Sequence, residues 1–144
     1  MRPFLTALMI GAAAPAVAAP LCEDMGFAGL LASCNRGDPI VLTLASGRPL
    51  GEDRVLESGA YYELEITADG SAEIGLSGPD FFRAIWMNEI VIDGIEVRPM
   101  AIDSLEFDDE GTATLSFVAI RPGTYTLGIP GSTGESQKVT LTIR

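Results

Sequence analysis

The sequence predicts an all-β sandwich or barrel, and three observations carry that expectation. Short runs rich in β-branched and aromatic residues recur along the chain, as in "PIVLTL", "YYELEITA" and "KVTLTIR". Glycine-containing turn signals separate these runs at short intervals, among them Ser46-Gly47, Asp69-Gly70, Asp93-Gly94 and Pro122-Gly123. Within the clearest runs apolar and polar residues alternate with period two, the mark of a half-buried strand. No internal repeat or long linker appears, and 144 residues suit a single domain.

Residues 1–18 read as a secretory leader. Arg2 supplies the positive start, Phe4 to Ile10 the apolar stretch, and Gly11 to Ala14 continue it with small residues. Ala16-Val17-Ala18 then forms a small-x-small cleavage site. Cleavage after Ala18 is preferred, because cleavage after Ala19 would leave Pro20 directly behind the bond. The apolar stretch is too short to span a bilayer comfortably, and no later segment approaches the required length. The expected location is therefore the bacterial periplasm or the secreted fraction. Residues 19–37 follow as a segment closed by Cys22 and Cys34. Export makes a disulfide the default for such a pair. The closed loop is worth roughly 3 kcal/mol in the chain-entropy picture. Between the cysteines a helical turn or two is expected, weakened by Gly26 and Gly29.

The sandwich is expected over 38–144. A strand runs over about Ile40 to Leu44. Tyr62, Leu64 and Ile66 share one face of the next, with Glu63, Glu65 and Thr67 on the other. Asp69-Gly70 then turns the chain so that Ala72 to Leu76 return as the second arm of a hairpin. Before it, Glu52, Asp53 and Glu57 surround Arg54 and read as a solvated loop. "SGPDFFRAIWMNE" departs from period two: Pro79 suits a helix start, and Phe82, Ile85 and Trp86 fall at helical spacing. A short helix near 79–87, or an irregular crossover, is expected there. Strands are then expected near 103–107, 112–118 and 123–128. The last runs from Lys138 to Ile143, where Val139, Leu141 and Ile143 alternate with Thr140 and Thr142.

The stretch "GTATLSFVAIRPGTYTLGIPG" resembles the end of the cupredoxins, through Thr112, Phe117, Pro122, Gly123, Thr124 and Tyr125, then Pro130-Gly131. It also looks similar to the cupredoxin-like domains of periplasmic iron-uptake proteins, which carry the same Arg-Pro-Gly-Thr-Tyr phrase. The resemblance implies a Greek-key β-sandwich of seven or eight strands, and in the cupredoxins proper a copper ion for electron transfer. Where that family places Cys, His and Met, this chain has Gly128 or Ile129, then Ser132, then Gln137. A blue-copper site needs two imidazoles and a thiolate. The chain has no histidine at all, so no type 1 copper is expected, and the identity of any other metal stays open.

The same absence removes most zinc sites and histidine-dependent triads. Asp108 and Asp109 could serve as paired carboxylates, but neighbours in one turn point in different directions, and no enzyme is expected. Net charge excludes other classes. Removing residues 1–18 takes away one Arg and no acid, which moves the charge from −11 to −12. Such a field repels nucleic acid and anionic membranes and attracts cations or a basic partner. Two roles remain. The first is a non-catalytic binding or accessory protein that docks a periplasmic partner, for which the candidate patch is Phe81, Phe82, Arg83, Trp86 and Glu89. Aromatics mixed with arginine form good interfaces. The second is a metal-handling role, for copper or iron, with carboxylates Asp103, Glu106, Asp108 and Asp109 or thioethers Met87 and Met100 as ligands. Hard ions favour the former and Cu(I) the latter. Met87 and Met100 lie among apolar neighbours, where methionine also fills core gaps.

Overall fold

A computed structural model describes residues 20–144. The leader read at 1–18 lies outside them. Ten strands form two five-stranded sheets packed face to face. They are β1 (Ile40–Leu44), β2 (Arg54–Leu56), β3 (Tyr61–Ala68), β4 (Ile74–Ser77), β5 (Ile85–Ile92), β6 (Ile95–Val97), β7 (Ser104–Phe107), β8 (Gly111–Ala119), β9 (Gly123–Gly128) and β10 (Lys138–Ile143). One sheet has the order β1-β3-β8-β5-β6 and the other β2-β10-β9-β4-β7. The pairs β1–β3 and β10–β2 are parallel and the rest antiparallel. The chain is an all-β Greek-key sandwich. It has more strands than the expected seven or eight, and two of them, β2 and β6, are edge strands of three residues.

Alternation builds the core. Ile40, Leu42 and Leu44 of β1, Tyr62, Leu64 and Ile66 of β3, and Ala113, Leu115, Phe117 and Ala119 of β8 face inward from one sheet. Val139, Leu141 and Ile143 of β10, with Leu127, Ile74 and Leu76, meet them from the other. Each leucine, isoleucine, valine or phenylalanine so withdrawn from water contributes about 1.5–3 kcal/mol, which is what holds two such sheets together.

Three expectations change. Ala72–Leu76 does not return beside β3, because both edges of β3 are taken by β1 and β8. The chain crosses instead to the other sheet, where β4 pairs with β7 and β9. The helix near 79–87 shrinks to α1 (Pro79–Phe82), four residues long. From Ile85 the chain is strand, since β8 offers a free edge that pairs with β5 from Ile85 to Ile92. Ladder hydrogen bonds to a distant strand outweigh the local helical spacing. The solvated loop at 52–57 contains β2, and its charges hold the structure: Asp53 Oδ1 accepts the Thr140 N–H at 2.7 Å, and Glu57 pairs with Arg144 at 2.8 Å.

The Arg-Pro-Gly-Thr-Tyr phrase makes the turn into β9. Tyr125 Oη donates to the Arg121 carbonyl at 2.9 Å, tying the turn to the strand. Gly123 sits at φ 155°, and a Cβ there would stand 2.8 Å from the Tyr125 hydroxyl. Only glycine fits both demands.

Candidate functional site

The position where the fold would hold copper lies in the β9–β10 connection. Gly128 closes the ladder opposite Lys138. Ser132 is exposed, and its Oγ accepts the Gly134 N–H at 3.3 Å. Gln137 Nε2 donates to the Arg48 carbonyl at 2.7 Å, so this side chain is spent on fastening the loop. The chain holds no imidazole, and Cys22 and Cys34 are joined in a disulfide with Cα atoms 5.8 Å apart. The donors of a type 1 copper centre are missing, and the residues present do not fit that metal.

The proposed metal ligands divide. Asp103 pairs with Arg83 at 3.0 Å. Met87 is buried in the core on β5, whereas Met100, expected among apolar neighbours, is fully exposed on the loop after β6. Asp109 is exposed in the β7–β8 connection. Glu106 and Asp108 do converge, and Glu73 joins them: one carboxylate oxygen from each lies within 4.8 Å of the others. Hydrogen bonding to Glu106, and then its charge, push the Glu73 carboxyl above its ordinary value. Glu73 is invisible to sequence reasoning because only the β4–β7 ladder, with Ile74 opposite Phe107, brings it near Asp108. That pairing spans some thirty residues.

The proposed partner patch divides too. Phe81 and Phe82 are buried, and Phe81 stacks edge-on against Phe82, Phe117 and Tyr125 with ring centres 5.5–6.3 Å apart. Arg83 is held by Asp103, and Glu89 by Arg98 at 2.9 Å. Trp86 behaves differently. It stands opposite Val118 in the β5–β8 ladder, on the outer face of its sheet, and is 49% exposed.

Trp86 borders a shallow cavity of about 290 Å³ whose other walls are Leu30, Leu31, Val118 and Ile120. Every lining side chain is apolar. Leu30 and Leu31 come from the disulfide loop, where residues 26–31 form a 3₁₀ turn broken at Gly29. The turn expected there is present, and its apolar side lies over the outer face of the sheet. Asn35 fixes the loop. Its side chain is fully buried; Oδ1 accepts the Leu21 N–H at 2.9 Å, and Nδ2 donates to the Leu30 and Gly59 carbonyls, each at 2.9 Å. Sequence reasoning missed Asn35, Leu30, Leu31 and Ile120. The apolar run "GFAGLL" was the available signal, since nothing inside so small a loop could bury it.

A second cavity, about 330 Å³, is lined by Leu21, Arg36, Asp38, Arg54, Glu57 and Tyr62 among others. Tyr62 Oη accepts the Glu57 N–H at 2.8 Å. Burial pushes the Tyr62 phenol above its ordinary value.

No family model and no curated protein sequence matches the chain. Solved structures do. A blue copper oxidase from Nitrosomonas europaea superposes with TM-score 0.54 and 10% identity over 73% of this chain and 43% of that one. A multi-copper oxidase from Pseudomonas thermotolerans gives 0.53 and 14%, over 74% of this chain and 29% of that one. A multicopper oxidase from Campylobacter jejuni, described as a metallo-oxidase, gives 0.50 and 7%, over 75% and 30%. The chain thus spans less than half the length of each. The class these likenesses define is a fold: the chain is a cupredoxin-like β-sandwich. The copper chemistry in those names belongs to those proteins. Among the described residues no helix is long and apolar enough to cross a membrane.

Proposed function

We propose that this chain is an exported, non-catalytic cupredoxin-like accessory domain that docks a protein partner on its Trp86 face. One observation carries the reading: the single tryptophan stands half-exposed beside a cavity walled only by apolar side chains. Exposed apolar concavities of this kind mark contact surfaces. Tryptophan is among the residues most often found at the energetic centre of an interface. The partner would bring one or two apolar side chains to fill the cavity and basic residues around them, complementing a chain of net charge −11. The leader and the disulfide favour an oxidising compartment such as the periplasm. The donor set gives no support to copper oxidation.

The test is affinity capture from periplasmic extract. One stoichiometric partner should be retained by the unaltered protein and by Val55→Glu, which changes an exposed residue on β2. Ile120→Glu should lose it. Equal capture by Ile120→Glu would sink the docking reading.

A second reading, metal handling, rests on the convergence of Glu73, Glu106 and Asp108. Three exposed carboxylates suit a hard cation. Calorimetric titration with Ca²⁺, Mn²⁺ and iron should then show binding that Glu106→Gln abolishes. Silence with each of these ions removes it.

A further inference from the structure

We infer that β6 is the contact by which two copies of this chain pair edge to edge, joining their five-stranded sheets across a twofold axis. This surface lies at the far end of β5 from Trp86, so the inference stands apart from the docking reading.

β6 is the outermost strand of its sheet, and all three of its residues are exposed. The hairpin that builds it decides which backbone groups are free. Asp93 and Gly94, with φ of 50° and 77°, form a two-residue turn between Ile92 and Ile95. Such a turn makes the flanking residues a hydrogen-bonded pair, and the pattern then alternates. Ile95 and Val97 therefore spend their N–H and C=O groups on β5. Glu96 and, one step on, Arg98 turn theirs outward, away from the sheet.

The side chains specify the register. In an antiparallel pairing centred on Val97, Glu96 of each copy lies opposite Arg98 of the other. These are the two residues whose backbone groups are free, so hydrogen bonds and opposite charges fall on the same pairs. Val97 meets Val97 of the second copy at the close, non-hydrogen-bonded position. A register centred on Glu96 would oppose like charges and offer fewer free groups. Opposite charges directly across a ladder stabilise it and like charges weaken it. The sequence Glu96-Val97-Arg98 is thus complementary to itself when reversed, which favours a second copy over an unrelated strand.

The core-side face adds apolar area. Ile92, Ile95 and Val97 share the face of buried Ile90, yet are 39%, 65% and 45% exposed. In the paired sheet these residues run on from one copy to the next. Within one copy Arg98 already holds Glu89 at 2.9 Å and Glu96 at 3.2 Å. Both contacts use one nitrogen of the guanidinium, which has donors left for a third carboxylate.

Sedimentation velocity over a concentration series tests the inference. The protein should shift from one-chain to two-chain mass as concentration rises. Glu96→Pro removes an outward N–H without touching the β5 ladder, as proline on an edge strand can. It should weaken association by about tenfold or more, through the loss of two symmetry-related interchain hydrogen bonds and of both Glu96–Arg98 charge pairs. Glu96→Arg alone and Arg98→Glu alone should each give monomers, and the double exchange should restore the dimer. That rescue separates pairing from misfolding. A chain that stays monomeric at every concentration, a dimer indifferent to Glu96→Pro, or a double exchange that fails to restore it would each overturn the inference.

Discussion

Phe81 and Trp86 lie five residues apart and have opposite fates. Phe81 is fully buried at the end of α1, with three aromatic rings around it. Trp86 stands on the outer face of β5, half in water, beside a cavity with only apolar walls. Both are large apolar rings in one short stretch, so size and hydrophobicity do not separate them. Placement does. Phe81 precedes the strand and turns into the space between the sheets. Trp86 is the second residue of β5, and the pleat that sends Met87 inward sends it out. One ring belongs to the domain's own stability and the other is left for something else.

Substitutions can break or sharpen that contrast. Phe81→Ala should have the largest effect, a loss of about 3–5 kcal/mol in chemical denaturation, because it empties a fully packed site. Asn35→Ala comes next. It leaves the Leu21 N–H and the Leu30 and Gly59 carbonyls without their partner, at a cost of about 1–3 kcal/mol. It should also move Trp86 emission to longer wavelength and increase acrylamide quenching, because Leu30 and Leu31 lose their anchor. Trp86→Ala should cost about 1–2 kcal/mol in stability, less than Phe81→Ala, since about half of the indole is already in water. If it instead rivals Phe81→Ala, the tryptophan is a core residue and the contrast fails.

The smallest effect is a pH dependence near the other cavity. The folded state holds the Tyr62 phenolic proton more tightly than the unfolded chain does. Its contribution is complete below the ordinary tyrosine value and is lost as pH rises through the raised one. Denaturation midpoints should therefore fall at strongly alkaline pH, and Tyr62→Phe should flatten that fall. An unchanged slope in Tyr62→Phe would assign the effect to other groups.

Much of the sandwich was legible because local patterns decide it. Ile40–Leu44 and Lys138–Ile143 alternate so cleanly that their boundaries follow from the residues. The Tyr125 turn was legible from its proline and glycine. What escaped was pairing. No local pattern says that β4 prefers β7 to β3, or that β8 draws residues 85–87 out of the expected helix into a strand. Those outcomes depend on which edges are free once the other strands have docked. The candidate sites escaped for the same reason. Glu73 joins Glu106 and Asp108 only through the β4–β7 ladder, and Leu30 and Ile120 meet Trp86 only after the disulfide loop has folded over the sheet. The partner patch drawn along 81–89 was contiguous in sequence, whereas the face that formed gathers residues from three separate segments.

The disulfide loop has one more consequence. Two of the five walls of the apolar cavity, Leu30 and Leu31, lie between Cys22 and Cys34. Without that bond the hydrogen bonds of Asn35 to Leu21, Leu30 and Gly59 would be left to hold these walls against the sheet. The main core cluster draws on no residue of this loop. The proposed docking face thus leans on a covalent clasp that the core does without, so reduction should weaken the face before it weakens the sandwich.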